Sequence, residues 1–126
     1  MLSTDLEVVL DTLPYSVFIK DSQHRFIYVN EALKALIGCD DVLGKDDRSF
    51  YSKDQVDVFW REDAKVLAGE ESLNEEQIGE NRFAITKKVP FTFSDGSRGL
   101  LGTILDYIDI KPDLRPVSLP GALVGG

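Results

Sequence analysis

Few side chains in this sequence could do chemistry, and each has a plainer use. Cys39 is the only thiol and His24 the only imidazole. A single cysteine makes no internal disulfide and no multi-cysteine metal site. Cys39 follows Gly38 in a polar stretch, which suits a small half-buried residue better than an activated nucleophile. His24 ends the turn sequence Asp21-Ser22-Gln23-His24, so an exposed ring outside any cavity is expected rather than a metal or haem ligand. No local nucleophile–base motif is present, and no glycine loop resembles a phosphate cradle. Asp40-Asp41 and Asp46-Asp47 are acidic pairs, but Asp40–Tyr51 lacks calcium-loop spacing. These pairs are expected to be solvated, as are Glu70-Glu71 and Glu75-Glu76, which could blunt a strand edge. Lys20 and Lys88 interrupt otherwise apolar strands. Turned inward, a lysine needs a partner such as a carboxylate ligand; both are expected to point outward into solvent.

The elements that would position these residues follow from periodicity. Leu6, Val9, Leu10 and Leu13 lie on one helical face, Thr4 and Glu7 have capping-box spacing, and Pro14 stops the helix. Ser16–Lys20 and Arg25–Val29 read as a hairpin. Neither strand alternates with polar residues in Val17-Phe18-Ile19 or Phe26-Ile27-Tyr28-Val29, so both faces should be covered. One face would meet the main core, and the first helix, or else a partner subunit, would cover the other. This makes Leu6, Val9, Leu10, Leu13, Val17, Ile19 and Tyr28 candidate cap or dimer contacts.

Asn30 should cap a short helix over Glu31–Ile37, closed by Gly38. Ser52 and Gln55 form a second capping box, and Val56, Phe59, Trp60, Ala64 and Leu67 make a helical stripe ending at Gly69. Three strands follow: roughly Ser72–Ile78, the alternating run Phe83, Ile85, Val89, Phe91 and Phe93, and Arg98–Ile108 after the Ser94–Ser97 turn. The expected fold is α+β: a five-stranded antiparallel sheet with helices packed on one face and an N-terminal amphipathic helix. Residues 1–14 form the cap helix, 15–110 the domain, and 111–126 a Pro/Gly-rich tail that should not be helical.

Composition narrows the function. A chain of 126 residues, 43% hydrophobic and 29% charged, suits one core and one small cavity. Net charge is −8 and the basic residues are scattered, which disfavours nucleic acid and anionic membranes as partners. The N-terminus has an early acid and no basic region before an apolar run, so a signal peptide is not expected. A cytoplasmic, reducing location fits the cysteine count.

In order and spacing, several fragments resemble a PAS domain across about residues 6–110. They are Leu13-Pro14, Phe18-Ile19-Lys20-Asp21, Arg25–Asn30, Leu36-Ile37-Gly38, Leu43-Gly44-Lys45, Asp63, Val66–Glu70, Lys88–Phe91, Asp95-Gly96, Gly102 and Asp106. The resemblance implies a cradle-shaped sheet, a cavity between sheet and helices, dimerisation, and control of an output domain such as a histidine kinase or diguanylate cyclase. The terminal motif departs from the family: Asp106-Tyr107-Ile108 stands where Asp-Ile-Thr is usual. Flavin-photoadduct members place a cysteine just before the long helix, where this chain has Asp47–Tyr51. Haem-binding members place a histidine on that helix, and this one has none. A covalent flavin adduct and His-ligated haem are therefore disfavoured, and the cofactor is open.

The candidate cavity lining is Phe18, Ile27, Val29, Leu36, Phe59, Trp60, Ile85, Lys88 and Leu101. The expectation is a sensor or regulatory module that binds a small molecule, dimerises, or both. A pure association module is the alternative. An enzyme would need a buried Asp or Glu as general base, and the pattern points to none.

Overall fold

The structure is a computed structural model that describes residues 3–110. The tail expected over 111–126 lies outside the described residues. The elements run α1 (Thr4–Asp11), β1 (Ser16–Asp21), β2 (Phe26–Val29), α2 (Glu31–Ile37), a 3-10 turn η1 (Asp47–Ser49), α3 (Lys53–Leu67), β3 (Ser72–Gln77), β4 (Arg82–Thr92) and β5 (Arg98–Asp109). They build one antiparallel sheet in the order β2-β1-β5-β4-β3. Because β1 pairs with β5, the first and last strands meet at the centre, which brings the two ends of the chain's fold together.

Local signals set the element ends. The Ser52 hydroxyl accepts from the Gln55 amide while the Gln55 side chain accepts from the Ser52 amide, a complete capping box. Asn30 caps α2, and Gly38 closes it at φ +78°, a conformation that a Cβ disfavours. The first helix differs in detail from expectation. Its cap is Ser3, which accepts from Leu6, one residue before Thr4.

The core lies between one sheet face and the helices. Phe18, Phe26, Val29, Leu33, Val42, Val66, Ala84, Leu100 and Ile104 are buried there. On the outer face, Val17, Ile19 and Tyr28 pack with Leu10, Leu13, Ile27, Phe91 and Phe93. The hairpin is thus covered on both sides, as its unbroken apolar runs require. The cover comes from the end of the N-terminal segment: Leu10 and Leu13 touch it, whereas Leu6 and Val9 are exposed.

Asn30 joins three elements through one buried amide. Its Oδ1 accepts from Val17 N at 3.0 Å and Leu33 N at 3.1 Å. Its Nδ2 donates to Leu10 O at 3.1 Å and Tyr15 O at 2.7 Å.

Register is broken at two places, between β1 and β2, where Ile27 is extra on β2, and between β4 and β5. Ile85 faces Asp106 but Thr86 faces Ile104, so Leu105 is an extra residue on β5. Such a bulge re-aims the side chains that flank it.

Candidate functional site

Strand pleat decides what faces the cavity. On β1, Phe18 points to the core, so Lys20, two residues on, must point there too. On β4, Ala84, Thr86 and Lys88 share the inner face. Both lysines are therefore inside, with only 2% of either residue exposed, and the expectation that they are solvated is corrected.

Their partners come from three other elements. Asp63 is completely buried on the inner face of α3, between Phe59 and Val66. Its Oδ2 accepts from Lys20 Nζ at 2.8 Å, and its Oδ1 accepts from Lys88 Nζ at 2.9 Å. Asp47, at the start of η1, takes a second Lys20 proton at 2.6 Å. Glu76, on β3, takes a second Lys88 proton at 2.8 Å. Asp47 and Glu76 are both buried, not the solvated loop and edge acids expected. Buried charge persists only when paired and hydrogen-bonded, and here every charged head has such a partner.

The electrostatics follow the geometry. Burial pushes the Asp63 carboxyl upward, but the Lys20 ammonium, the His24 hydrogen bond and the Lys88 ammonium together hold it well below the usual carboxylate range. For Lys20, burial pulls downward and the charges of Asp63 and Asp47 overcome it, leaving the ammonium raised. Burial also raises the Tyr51 phenol, helped by the nearby Asp47 and Glu76 charges.

His24 guards the outer edge of this cluster. Its side chain is 19% exposed and its Nδ1 lies 3.1 Å from Asp63 Oδ2. The ionised Asp63 only accepts, so Nδ1 carries the proton and donates. The residue sits at φ +66°, and its ring stacks on Trp60 with centroids 4.3 Å apart. Trp60 Nε1 donates to Asp47 Oδ2 at 2.9 Å. His24 is thus a structural neighbour of the cluster rather than a free turn residue, and Trp60 faces it instead of the cavity.

The cavity holds about 40 Å³, room for roughly two or three waters. Its apolar wall includes Phe18, Phe26, Leu33, Ile37, Phe59, Ile78 and Ile104; its polar wall is Lys20, Asp47, Tyr51, Glu76, Thr86 and Lys88. Thr86 is 2% exposed and its hydroxyl is buried with no hydrogen-bond partner. Of the sequence candidates, Phe18, Phe59 and Lys88 line this space. Val29 and Leu36 belong to the core beside it. Ile27 lies in the outer cluster, and Ile85 and Leu101 are 39% and 36% exposed. Ile85 and Leu101 are odd-numbered residues on β4 and β5, whose even-numbered residues face inward there, so pleat parity removes these two from the lining.

Asp63 was the missing carboxylate, and its helical position shows it. Val56, Phe59, Asp63 and Val66 step by three and four along one face, placing an acid in an apolar stripe. Cys39 is half-buried with its Sγ 3.7 Å from Asp41 O. Among the described residues no helix is long and apolar enough to cross a membrane, and no cluster of three His, Cys, Asp or Glu could hold a metal ion.

Comparison with known proteins supplies the family. The chain is 33% identical over 101 residues to protein y4lL of Sinorhizobium fredii, covering 74% of this chain and 12% of that protein. It is 29% identical over 110 residues to the methanogenesis regulatory histidine kinase FilI of Methanothrix harundinacea, again 12% of that protein and 82% of this one. The chain thus spans about an eighth of these curated relatives. A domain of an HTR-like protein from Haloarcula marismortui superposes with TM-score 0.64 at 14% identity, over 79% of this chain and all of that one. The Vibrio cholerae VqmA–ligand–DNA complex superposes with TM-score 0.66 at 24% identity, over 84% of this chain and 51% of that one. These likenesses agree in fold. The PAS fold family matches residues 10–109, and the chain belongs to that family of sensor and signalling domains.

Proposed function

We propose that this PAS domain is a regulatory sensor that binds a small molecule between sheet and helices and controls an attached output domain. Residues 15–110 form the sensing body and residues 1–14 its cap, acting in the cytoplasm. One observation carries the reading: the Thr86 hydroxyl is buried and unpaired in the wall of a cavity that two ammonium groups also line. An unpaired buried hydroxyl is unfavourable by about 1–3 kcal/mol unless something meets it. A bound molecule would meet it. The likeness to a regulatory histidine kinase supports a kinase-type output, with a diguanylate cyclase as the other candidate. VqmA, whose structure with DPO has the same fold, is a ligand-bound relative in shape.

An enzymatic reading demands a buried carboxylate, and the three present among the described residues, Asp47, Glu76 and Asp63, are all paired with lysines; the most deeply buried is Asp63. It is held ionised and already accepts three hydrogen bonds, whereas a general base needs a poised pKa and a free lone pair toward substrate. This favours sensing over catalysis. The test is native and then denaturing mass spectrometry of protein purified from cells. A small molecule released on denaturation is the expected result. A bare polypeptide mass, with no change in melting across a metabolite screen, removes the proposal.

A second reading, association through the outer surface, is favoured by a separate observation. Leu6, Val8, Val9 and Tyr15 near α1, and Leu101, Leu105 and Tyr107 on β5, are exposed apolar side chains. Each alone is ordinary, but large apolar side chains exposed on two elements are candidates for an interface. Sedimentation should show a homodimer that Leu6→Asp with Val9→Asp dissociates; a monomer at high concentration counts against it.

A further inference from the structure

The donors and charges around the cavity restrict what it can hold. A lysine ammonium has three protons. Lys88 gives two of them to Asp63 and Glu76, and Lys20 gives two to Asp47 and Asp63. Each keeps one proton. Thr86 and Lys88 are two residues apart on the inner face of β4 and both line the space, so the Thr86 hydroxyl and the remaining Lys88 proton are donors on the same wall.

The formal charges of the cluster are two positive, on Lys20 and Lys88, and three negative, on Asp47, Asp63 and Glu76. An entering carboxylate would lose its water and meet an enclosed site that already has an excess negative charge, with both lysines committed to other acids. An entering cation would find the wall's carboxylates, Asp47 and Glu76, already paired with lysines, and would lie beside the two ammonium heads. A neutral acceptor avoids both penalties. Its size is set by a space of about 40 Å³, far below that of a flavin or haem.

We propose that the cavity binds a small neutral molecule that presents a carbonyl-type acceptor to Lys88 and Thr86 and rests its apolar part on Phe18, Phe26 and Ile104. This rests on the ligand-sensing reading above and names the ligand's chemical class. Specificity then comes from Thr86, Tyr51 and the spare ammonium protons, because the ion pairs occupy the rest of the polar wall.

The test uses three probes of one shape and different charge: acetamide, acetate and acetamidinium. Each is titrated into isotope-labelled full chain and the amide signals of Thr86, Lys88 and Phe18 are followed. Acetamide should shift these signals to saturation, and acetate and acetamidinium should leave them in place. Thr86→Val, which keeps the shape and removes the hydroxyl, should weaken acetamide about tenfold. Acetate or acetamidinium binding as tightly as acetamide overturns the ligand class while leaving a ligand-binding cavity. Unchanged acetamide affinity in Thr86→Val overturns the role of the hydroxyl. If none of the three probes moves any cavity signal, the ligand class and the sensing reading fall together.

Discussion

Lys20 and Lys88 stand on β1 and β4, separated by β5, yet they clasp the two oxygens of a single carboxylate, Asp63, at 2.8 Å and 2.9 Å. The long helix is thereby tied to both halves of the sheet at one point. An apolar residue there would press on the sheet without selecting a position. A carboxylate between two ammoniums fixes the helix in register, and the bond geometry fails if it slides.

Asp63→Asn should therefore be severe. Two buried ammoniums would lose their shared counter-charge, and breaking a buried pair by removing one partner destabilises by about 3–5 kcal/mol. Urea denaturation measures this. A loss below about 1 kcal/mol would mean that the cluster relaxes or takes in water.

Stability should depend on pH at both extremes. Asp63 has a folded pKa below its ordinary value of 3.8, so its contribution is complete above that value and disappears as pH falls through the folded pKa. Asp21, Asp46, Glu62 and Asp95 are also lowered and add to the same acid slope. Lys20 is raised above 10.5; its contribution is complete below that pH and disappears as pH rises through the folded value. Urea midpoints should be level between about pH 5 and pH 9 and fall on either side. The acid slope should shrink in Asp63→Asn. An unchanged slope would assign acid sensitivity to the surface carboxylates alone.

Thr86→Val should stabilise the ligand-free protein. The substitution removes a buried hydroxyl that has no partner and keeps the branched shape that β-strands favour, for a gain of about 1 kcal/mol. Thermal melting of ligand-free protein checks it, and a lowered midpoint would show that the hydroxyl is already satisfied there.

Gly102→Ala should disturb the cavity from the strand side. A Cβ at Gly102 would lie 2.1–2.6 Å from the Phe18 ring, so Phe18, which lines the cavity, must move. Overpacking of this kind destabilises by about 1–3 kcal/mol. The companion measurement is acetamide affinity, expected to drop with stability. Unaltered values for both would place Phe18 in a different rotamer.

The sequence was most informative where structure is local. Ser52 with Gln55, and Asn30 with Gly38, mark helix ends because a cap needs only residues a few positions away. The hairpin's unbroken apolar runs announced that both faces are covered. The site was harder because its parts are distant: Lys20 meets Asp63 across 43 residues and Lys88 meets it across 25. Exposure is the default for a single lysine, and no neighbour in the chain reveals the acid that reverses it. Two signals did exist. Pleat parity ties Lys20 to the inward Phe18, and helical spacing puts Asp63 in the Phe59–Val66 stripe. The β4–β5 bulge, by contrast, arises from strand pairing, and the sequence alone has no marker for it.

The four hydrogen bonds of Asn30 have a consequence for how a message could cross the domain. The same amide that starts α2 also clamps the end of α1, so the clamp cannot open without exposing polar groups in a buried place. Leu33, whose amide is held by Asn30, is part of the cavity wall. Detachment of the N-terminal segment would thus unfasten the wall three residues downstream, and a filled cavity that steadies Leu33 would hold the segment down. The leading helix and the pocket are two ends of one latch, with a single asparagine as its pin.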